Sequence, residues 1–180
     1  MGAHNAGPPR IILGVAGKAG AGKDTLADAL VKHHGFFKAS FALALKLEVI
    51  LKYGFTRSEV FETKPPEVRK VLQEYGYAAR AKDPLHWVRQ LESYIAGKKL
   101  VVIPDVRFRN EADAILWWGG QNIRVLNAHS VYPLAGTPAA LHESETALDS
   151  YPMAYVVNTR VHLPEDLARS ALAQTFPLLL

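Results

Sequence analysis

Ile11 to Thr25 reads I-I-L-G-V-A-G-K-A-G-A-G-K-D-T, and the reading of this stretch decides the fold. A short apolar run turns through Gly14, Gly17, Gly20 and Gly22 and ends in Lys23-Asp24-Thr25. Leu26, Leu30 and Val31 then recur at helical spacing with alanines between them. Strand, glycine loop, lysine and helix start together predict a phosphate cradle. Glycines let successive backbone N–H groups turn inward, and the helix end adds its positive dipole. Gly17, Lys18, Ala19, Gly20, Ala21 and Gly22 supply the backbone of that cradle, and Lys23 is placed to reach the outer phosphates of a nucleoside triphosphate. Glycines serve any tight connection; they do not explain a lysine set at the helix mouth.

The residue after such a lysine is usually Ser or Thr, whose hydroxyl holds Mg²⁺. Here it is Asp24, and the hydroxyl follows at Thr25. Asp24 suits a magnesium site, because that ion prefers hard oxygens and keeps several waters. An acidic residue in a helix first turn also suits the dipole, and both readings predict the same residue.

A chain of 180 residues supports one domain with a full core. The formal charge of +4 and pI near 9.3 suit a partner that is a polyanion. Lysines and arginines are spread along the chain with no basic run interleaved with aromatics, which argues against nucleic acid as the main partner and for small anionic ligands. No apolar run approaches membrane-spanning length, no secretory pattern stands at the N-terminus, and there are no cysteines. The chain therefore reads as cytoplasmic and membrane-free. Residues 1–9, with two prolines and no periodicity, read as a loose tail ahead of a single domain over 10–180.

Along the chain, a helix from about Lys23 to His33 stops at Gly35, and Phe36 to Phe41 reads as a second strand. A helix with Leu43, Leu47, Ile50 and Leu51 ends at Gly54. Thr56 and Glu59 form a capping-box pattern for a short helical piece through Phe61. Pro65-Pro66 opens a longer helix, and Asp83-Pro84 reads as N-cap and first position of the next, which Gly97 closes. Leu100 to Ile103 is a buried strand of the parallel type. A helix capped by Asn110, strands over Asn122–Asn127 and Ala154–Asn158, and a last helix from Pro164 to about Thr175 complete the pattern. Strands alternating with helices predict an α/β fold with a five-stranded, mainly parallel sheet, interrupted at about 42–97 by a helical lobe.

Asp105-Val106-Arg107-Phe108-Arg109-Asn110-Glu111 follows the buried strand directly. Ligands sit outside the carboxyl ends of such strands, so Asp105 falls on the same edge as the glycine loop and can hold a magnesium shell or orient an attacking group. Arg107 and Arg109 can neutralise phosphate charge.

With both stretches in view, the chain resembles the bacteriophage deoxynucleoside monophosphate kinases among the P-loop kinases. The G-K-D-T loop, Ser40-Phe41-Ala42 with Leu45-Lys46, Leu72-Gln73 through Trp87-Val88, D-V-R-F-R-N-E, and His142-Glu143-Ser144-Glu145 with Tyr155-Val156-Val157-Asn158 carry the likeness. It implies a three-layer P-loop kinase-like fold, ATP as co-substrate, Mg²⁺ at Asp24 and Asp105, and transfer of the γ-phosphoryl group to a deoxynucleoside monophosphate. Lys23, Arg107, Arg109 and Asp105 would carry the chemistry. The acceptor nucleotide would meet Ser40, Phe41, Lys46, Arg69, Arg80 and Trp87 in the helical lobe, although Lys46 equally reads as a solvated lysine and Trp87 as core. A phage-encoded protein of this kind would work in the host cytoplasm. Related loops in phosphomevalonate-type kinases, or a regulatory nucleotide-binding module without transfer, are the competing readings. The connection from Val125 to Thr159 contains neither Lys nor Arg. Its stretch at about 128–152 reads as a cover that cannot supply the arginines many such kinases lower over the phosphates. The apolar end Phe176 to Leu180 points to a docked tail or a homodimer interface.

Overall fold

The computed structural model describes residues 11–127, 132–158 and 163–177. The expected tail at 1–9, the first part of the cover at 128–131 and residues 178–180 lie outside them. The chain divides into two compact units: residues up to Ala39 with those from Gly97 onward, and Ser40–Ala96.

The first unit is a parallel sheet with helices on both faces. Strand β1 (Ile11–Ala16) is buried at every residue, as a central parallel strand must be. It pairs with β3 (Leu100–Ile103) on one side and β4 (Gln121–Leu126) on the other. Strands β2 (Phe37–Lys38) and β5 (Tyr155–Asn158) complete the order β2-β3-β1-β4-β5, with every pairing parallel. Alternate residues of β1 serve the two faces. Ile11, Leu13 and Val15 join a core with helix α1 (Lys23–His34) and helix α7 (Pro164–Thr175), through Leu26, Leu30, Leu167 and Leu172. On the other face a Cβ at Gly14 would lie 2.3 Å from the Asn122 amide oxygen and 2.6 Å from Ile115 of helix α5 (Arg109–Trp117). No larger residue fits there. Phe176 packs against the first core, which accounts for that part of the apolar C-terminal end.

The second unit holds α2 (Phe41–Tyr53), α3 (Pro66–Lys82) and α4 (His86–Tyr94). Val49, Val60 and Val68 form its centre. Of the apolar residues of α2, Leu51 is 85% exposed, while Phe41 and Val49 are buried. The helix reads FALALKLEVILKY, and a segment this apolar all round has no periodicity to mark its buried side. The Thr56–Glu59 box forms, with the Glu59 carboxylate accepting the Thr56 N–H at 2.7 Å and Thr56 Oγ1 accepting the Glu59 N–H at 3.2 Å. It leads into a wide helical turn, Glu59–Thr63.

Three boundaries differ from expectation. Strand β2 is only Phe37–Lys38, because α2 starts at Phe41. Helix α4 begins at His86 rather than Pro84, with Asp83 ending α3 while its carboxylate accepts the Leu85 N–H at 3.1 Å. Helix α5 begins at Arg109 rather than after Asn110. The buried Glu111 side chain reaches back to accept the Arg107 N–H at 2.8 Å and the Phe108 N–H at 3.1 Å, doing the work of a cap from inside the first turn.

Candidate active site

The glycine loop leaves the carboxyl end of β1, at the place where β3 and β4 depart to opposite sides. That is the crevice where open α/β sheets bind ligands. Gly17 has φ 147°, and a Cβ there would lie 2.5 Å from the Val125 carbonyl oxygen, so the turn requires glycine on both counts. Gly20 and Gly22 are also at positive φ. Gly22 caps α1, whose first residue is Lys23. The Lys23 ammonium folds back over the loop and donates to the carbonyls of Gly17 and Lys18, each at 2.8 Å. Burial, then the charge of Arg107, press its pKa below the ordinary lysine value, while Glu145, Asp24 and Asp105 pull the other way. Two cations near a glycine-rich turn are the charge pattern that suits an anion.

Asp24 and Thr25 are exposed on the first turn of α1. The Asp24 carboxylate pairs with Lys38 of β2 at 2.8 Å, and Lys38 also bridges to Asp28 at 2.8 Å. Among the described residues no group of three or more His, Asp or Glu side chains could hold a metal by itself. Asp24 and Asp105 nevertheless both act electrostatically on Lys23. One or two carboxylates of that kind suit a magnesium ion that takes its other ligands from phosphates and water.

Arg107 and Arg109 are both engaged by the cover. The Arg107 guanidinium donates to Glu145 Oε1 at 2.6 Å, and Arg109 donates to Ser150 Oγ at 2.8 Å. The cover contains a short 3-10 turn, Pro138–Leu141, and the one-turn helix α6 (Glu143–Thr146). His142, without an evident role in sequence, caps α6: its ring nitrogen accepts the Ser144 N–H at 3.2 Å. Tyr151 closes the segment by donating to Asp113 of α5 at 2.6 Å, and burial together with that carboxylate pushes the phenol up to about 12.

Sequence reasoning missed Arg124, at the end of β4. Its guanidinium donates to the carbonyls of Leu148, Asp149 and Tyr151 and gathers the end of the cover into one turn. A charged residue in the otherwise apolar run I-R-V-L at a strand's carboxyl end was the available signal. A cavity of about 110 Å³ remains beside the loop, bounded by Gly17, Lys18, Arg107, Arg124, Glu145 and Asp149.

The acceptor candidates lie in the helical unit or at its start. Phe41 and Trp87 are each 2% exposed, and the Trp87 indole donates to the Gly76 carbonyl at 3.4 Å. Neither presents an open ring face for a base, which corrects the stacking reading of Trp87. Lys46 sits over the Phe61 ring, 4.8 Å from its centroid. Arg69 donates to the carbonyl of Lys64, a non-glycine residue in a left-handed conformation, at 2.8 Å. Arg80 lies alongside Gly76, and Ser40 is the N-cap residue of α2.

Sheet order, glycine loop and lysine-headed helix define an α/β protein with a P-loop kinase-like fold. The fold is matched by the unliganded structure of a sugar kinase from Janibacter sp. HTCC2649, with a TM-score of 0.55 at 18% identity over 96% of this chain and 98% of that one. The chain is 30% identical over 142 residues to the Acanthamoeba polyphaga mimivirus protein named "Putative deoxynucleotide monophosphate kinase", across 64% of this chain and 73% of that one, and it belongs to the same family. It is also 31% identical over 147 residues to the uncharacterized protein ORF77 of Ictalurid herpesvirus 1 (strain Auburn). That match takes in 77% of this chain, which spans 59% of the length of that relative. No family model matches the chain. Among the described residues no helix is long and apolar enough to cross a membrane.

Proposed function

We propose that this protein is a kinase that transfers the γ-phosphoryl group of ATP to a deoxynucleoside monophosphate, giving ADP and the deoxynucleoside diphosphate. The observation that carries the reading is the placement of Lys23 and Arg107. Lys23 folds over the loop onto the carbonyls of Gly17 and Lys18, and Arg107 lines one cavity with those same two residues, so an incoming phosphate would meet both cations. The name carried by the mimivirus relative supports the choice of acceptor.

An oxygen of the acceptor monophosphate attacks the γ-phosphorus in line, a new P–O bond forms, and the bond to the β–γ bridging oxygen breaks with its electrons leaving on ADP. Such a transfer needs alignment and charge neutralisation more than covalent help. The loop amides from Gly17 to Gly22 and the Lys23 ammonium hold the outer phosphates, and Thr25 takes an inner one. Arg107 follows the migrating group, and Arg109 stands ready on the same segment. Asp105 orients the acceptor, whose own negative charge makes a strong base unnecessary. Magnesium, held through Asp24 and Asp105 in part, would supply charge neutralisation between the outer phosphates. The acceptor contacts belong to the helical unit, with Ser40, Lys46, Arg69 and Arg80 as candidates. Phe41 and Trp87 maintain its packing.

The test is product analysis with γ-labelled ATP and a panel of deoxynucleoside and ribonucleoside monophosphates, with phosphomevalonate included. Label in a deoxynucleoside diphosphate is expected. Label only in the diphosphate of phosphomevalonate would make the chain a different small-molecule kinase. Absence of transfer by folded, ATP-binding protein would leave a nucleotide-binding module.

A further inference from the structure

One backbone donor of the phosphate loop, the Ala19 N–H, is already taken by a carboxylate. Glu145 of α6 turns its carboxylate into the cradle, with only 5% of the side chain exposed. Its Oε2 accepts the backbone N–H of Ala19 at 3.1 Å and the Tyr132 hydroxyl at 3.1 Å, and its Oε1 accepts Arg107 at 2.6 Å. The Lys18 ammonium closes the arrangement by donating to the Glu145 carbonyl and pairing with Asp149. Burying a carboxylate is costly, and it persists only where donors compensate. A loop amide, a guanidinium and two nearby lysines are the donor set that a phosphate oxygen uses.

The Ala19 N–H decides what this contact means. An arginine has five donors and can serve two anions at once. A backbone amide has one hydrogen, so Ala19 cannot hold Glu145 and a phosphate together. Apart from Lys18, which holds the Glu145 main-chain carbonyl and Asp149 without using the Glu145 carboxylate, the anchors of the cover among the described residues include several beyond Glu145 in sequence: Arg124 on the carbonyls of Leu148, Asp149 and Tyr151, Arg109 on Ser150, and Tyr151 on Asp113. Glu145 can therefore leave the loop while that end of the cover stays attached.

We propose that Glu145 is an intramolecular stand-in for the outer phosphate, a latch that fills the empty cradle and must swing out when a nucleoside triphosphate enters. The inference rests on the reading of the loop as a triphosphate cradle. It differs in sign from a positioning role. A glutamate that aims Arg107 at the substrate raises activity, so removing its charge weakens binding or lowers kcat. A latch competes with the substrate, so removing its charge tightens binding.

The experiment is calorimetric titration of ATP, ADP and AMP into the wild-type protein, Glu145→Gln and Tyr132→Phe, each first checked for a cooperative melt, with steady-state kinetics on the same preparations. Affinity is reduced by the fraction of molecules in the competent state, so a latch closed in about nine molecules of ten predicts about tenfold tighter ATP binding by Glu145→Gln. The gain should shrink for ADP and vanish for AMP, which has no outer phosphate. Tyr132 supports the latch through one hydrogen bond, and Tyr132→Phe should shift ATP binding the same way by about twofold. Unchanged or weaker ATP binding by Glu145→Gln would overturn the latch. If wild-type protein still phosphorylates a monophosphate in that case, the kinase reading survives. Tighter binding with no transfer by any of the proteins would keep the latch and remove the kinase reading. Absence of ATP binding by all three folded proteins would overturn both.

Discussion

The glycine loop and the cover that meets it are held in opposite ways. The loop is made from consecutive residues, Gly17 to Lys23, and its internal bonds are short in sequence: Lys23 to the carbonyls of Gly17 and Lys18. The cover is fastened by residues far away in the chain: Arg107 to Glu145, Arg109 to Ser150, Arg124 to three carbonyls, Asp113 to Tyr151. The loop contributes cations and amides, and the cover contributes carboxylates and carbonyls. A cover without Lys or Arg cannot supply a cationic clamp over phosphates. In the structure its acidity is what fits it to the loop.

Removing the loop's own cation should have the largest effect. Lys23→Ala is expected to lower turnover by about 10³ or more, the loss of several kcal/mol of charge stabilisation, with the melting curve nearly unchanged. Kinetics and melting on the same preparation check it. Next comes the residue shared by loop and cover. Arg107→Ala should reduce kcat by about 10²-fold with a smaller change in ATP binding, and Arg107→Lys should recover little of it, because a point charge replaces a planar fork. Equal losses in kcat and in ATP affinity would instead make Arg107 a general binding residue.

The cover side should yield stability effects. Arg124→Ala leaves the carbonyls of Leu148, Asp149 and Tyr151 to water and is expected to cost about 1 kcal/mol, lowering Tm by about 2–4 °C. Hydrogen exchange should rise over 147–151 and stay unchanged over 17–23. The smallest expected effect is with pH. Burial pushes the Glu145 carboxyl up, but the bonds from Ala19 and Arg107 outweigh it and hold it below the ordinary value of 4.5. A carboxyl depressed in the folded state contributes stability above its unfolded pKa and loses it as pH falls through the folded one. The stability difference between wild type and Glu145→Gln should therefore be level from neutrality to about pH 5 and shrink below 4.5.

What was legible in the sequence follows the same division. The strand at Leu100–Ile103, the loop from Gly17 to Lys23 and the helix after it could be read because each rests on residues adjacent in the chain. The edge position of Asp105 and Arg107 followed from sheet topology. The seat of Glu145 did not: it depends on a pairing across 126 residues with Ala19, and no local pattern encodes which donor a distant carboxylate will find. The buried side of α2 was not legible for a different reason, since a helix of nearly continuous apolar residues leaves only tertiary packing to choose it. Glu111 stood in the quoted motif, yet its capping role needed the first turn of α5 to be located first.

The claim that the loop is built for the outer phosphates is tested most directly by calorimetric affinities of the wild-type protein for ATP, ADP and AMP, repeated with Lys23→Ala. The account predicts that each phosphate removed weakens binding by about tenfold or more, roughly 1.4 kcal/mol a step, and that Lys23→Ala flattens the series. AMP bound as tightly as ATP, or a series unchanged in Lys23→Ala, would contradict it.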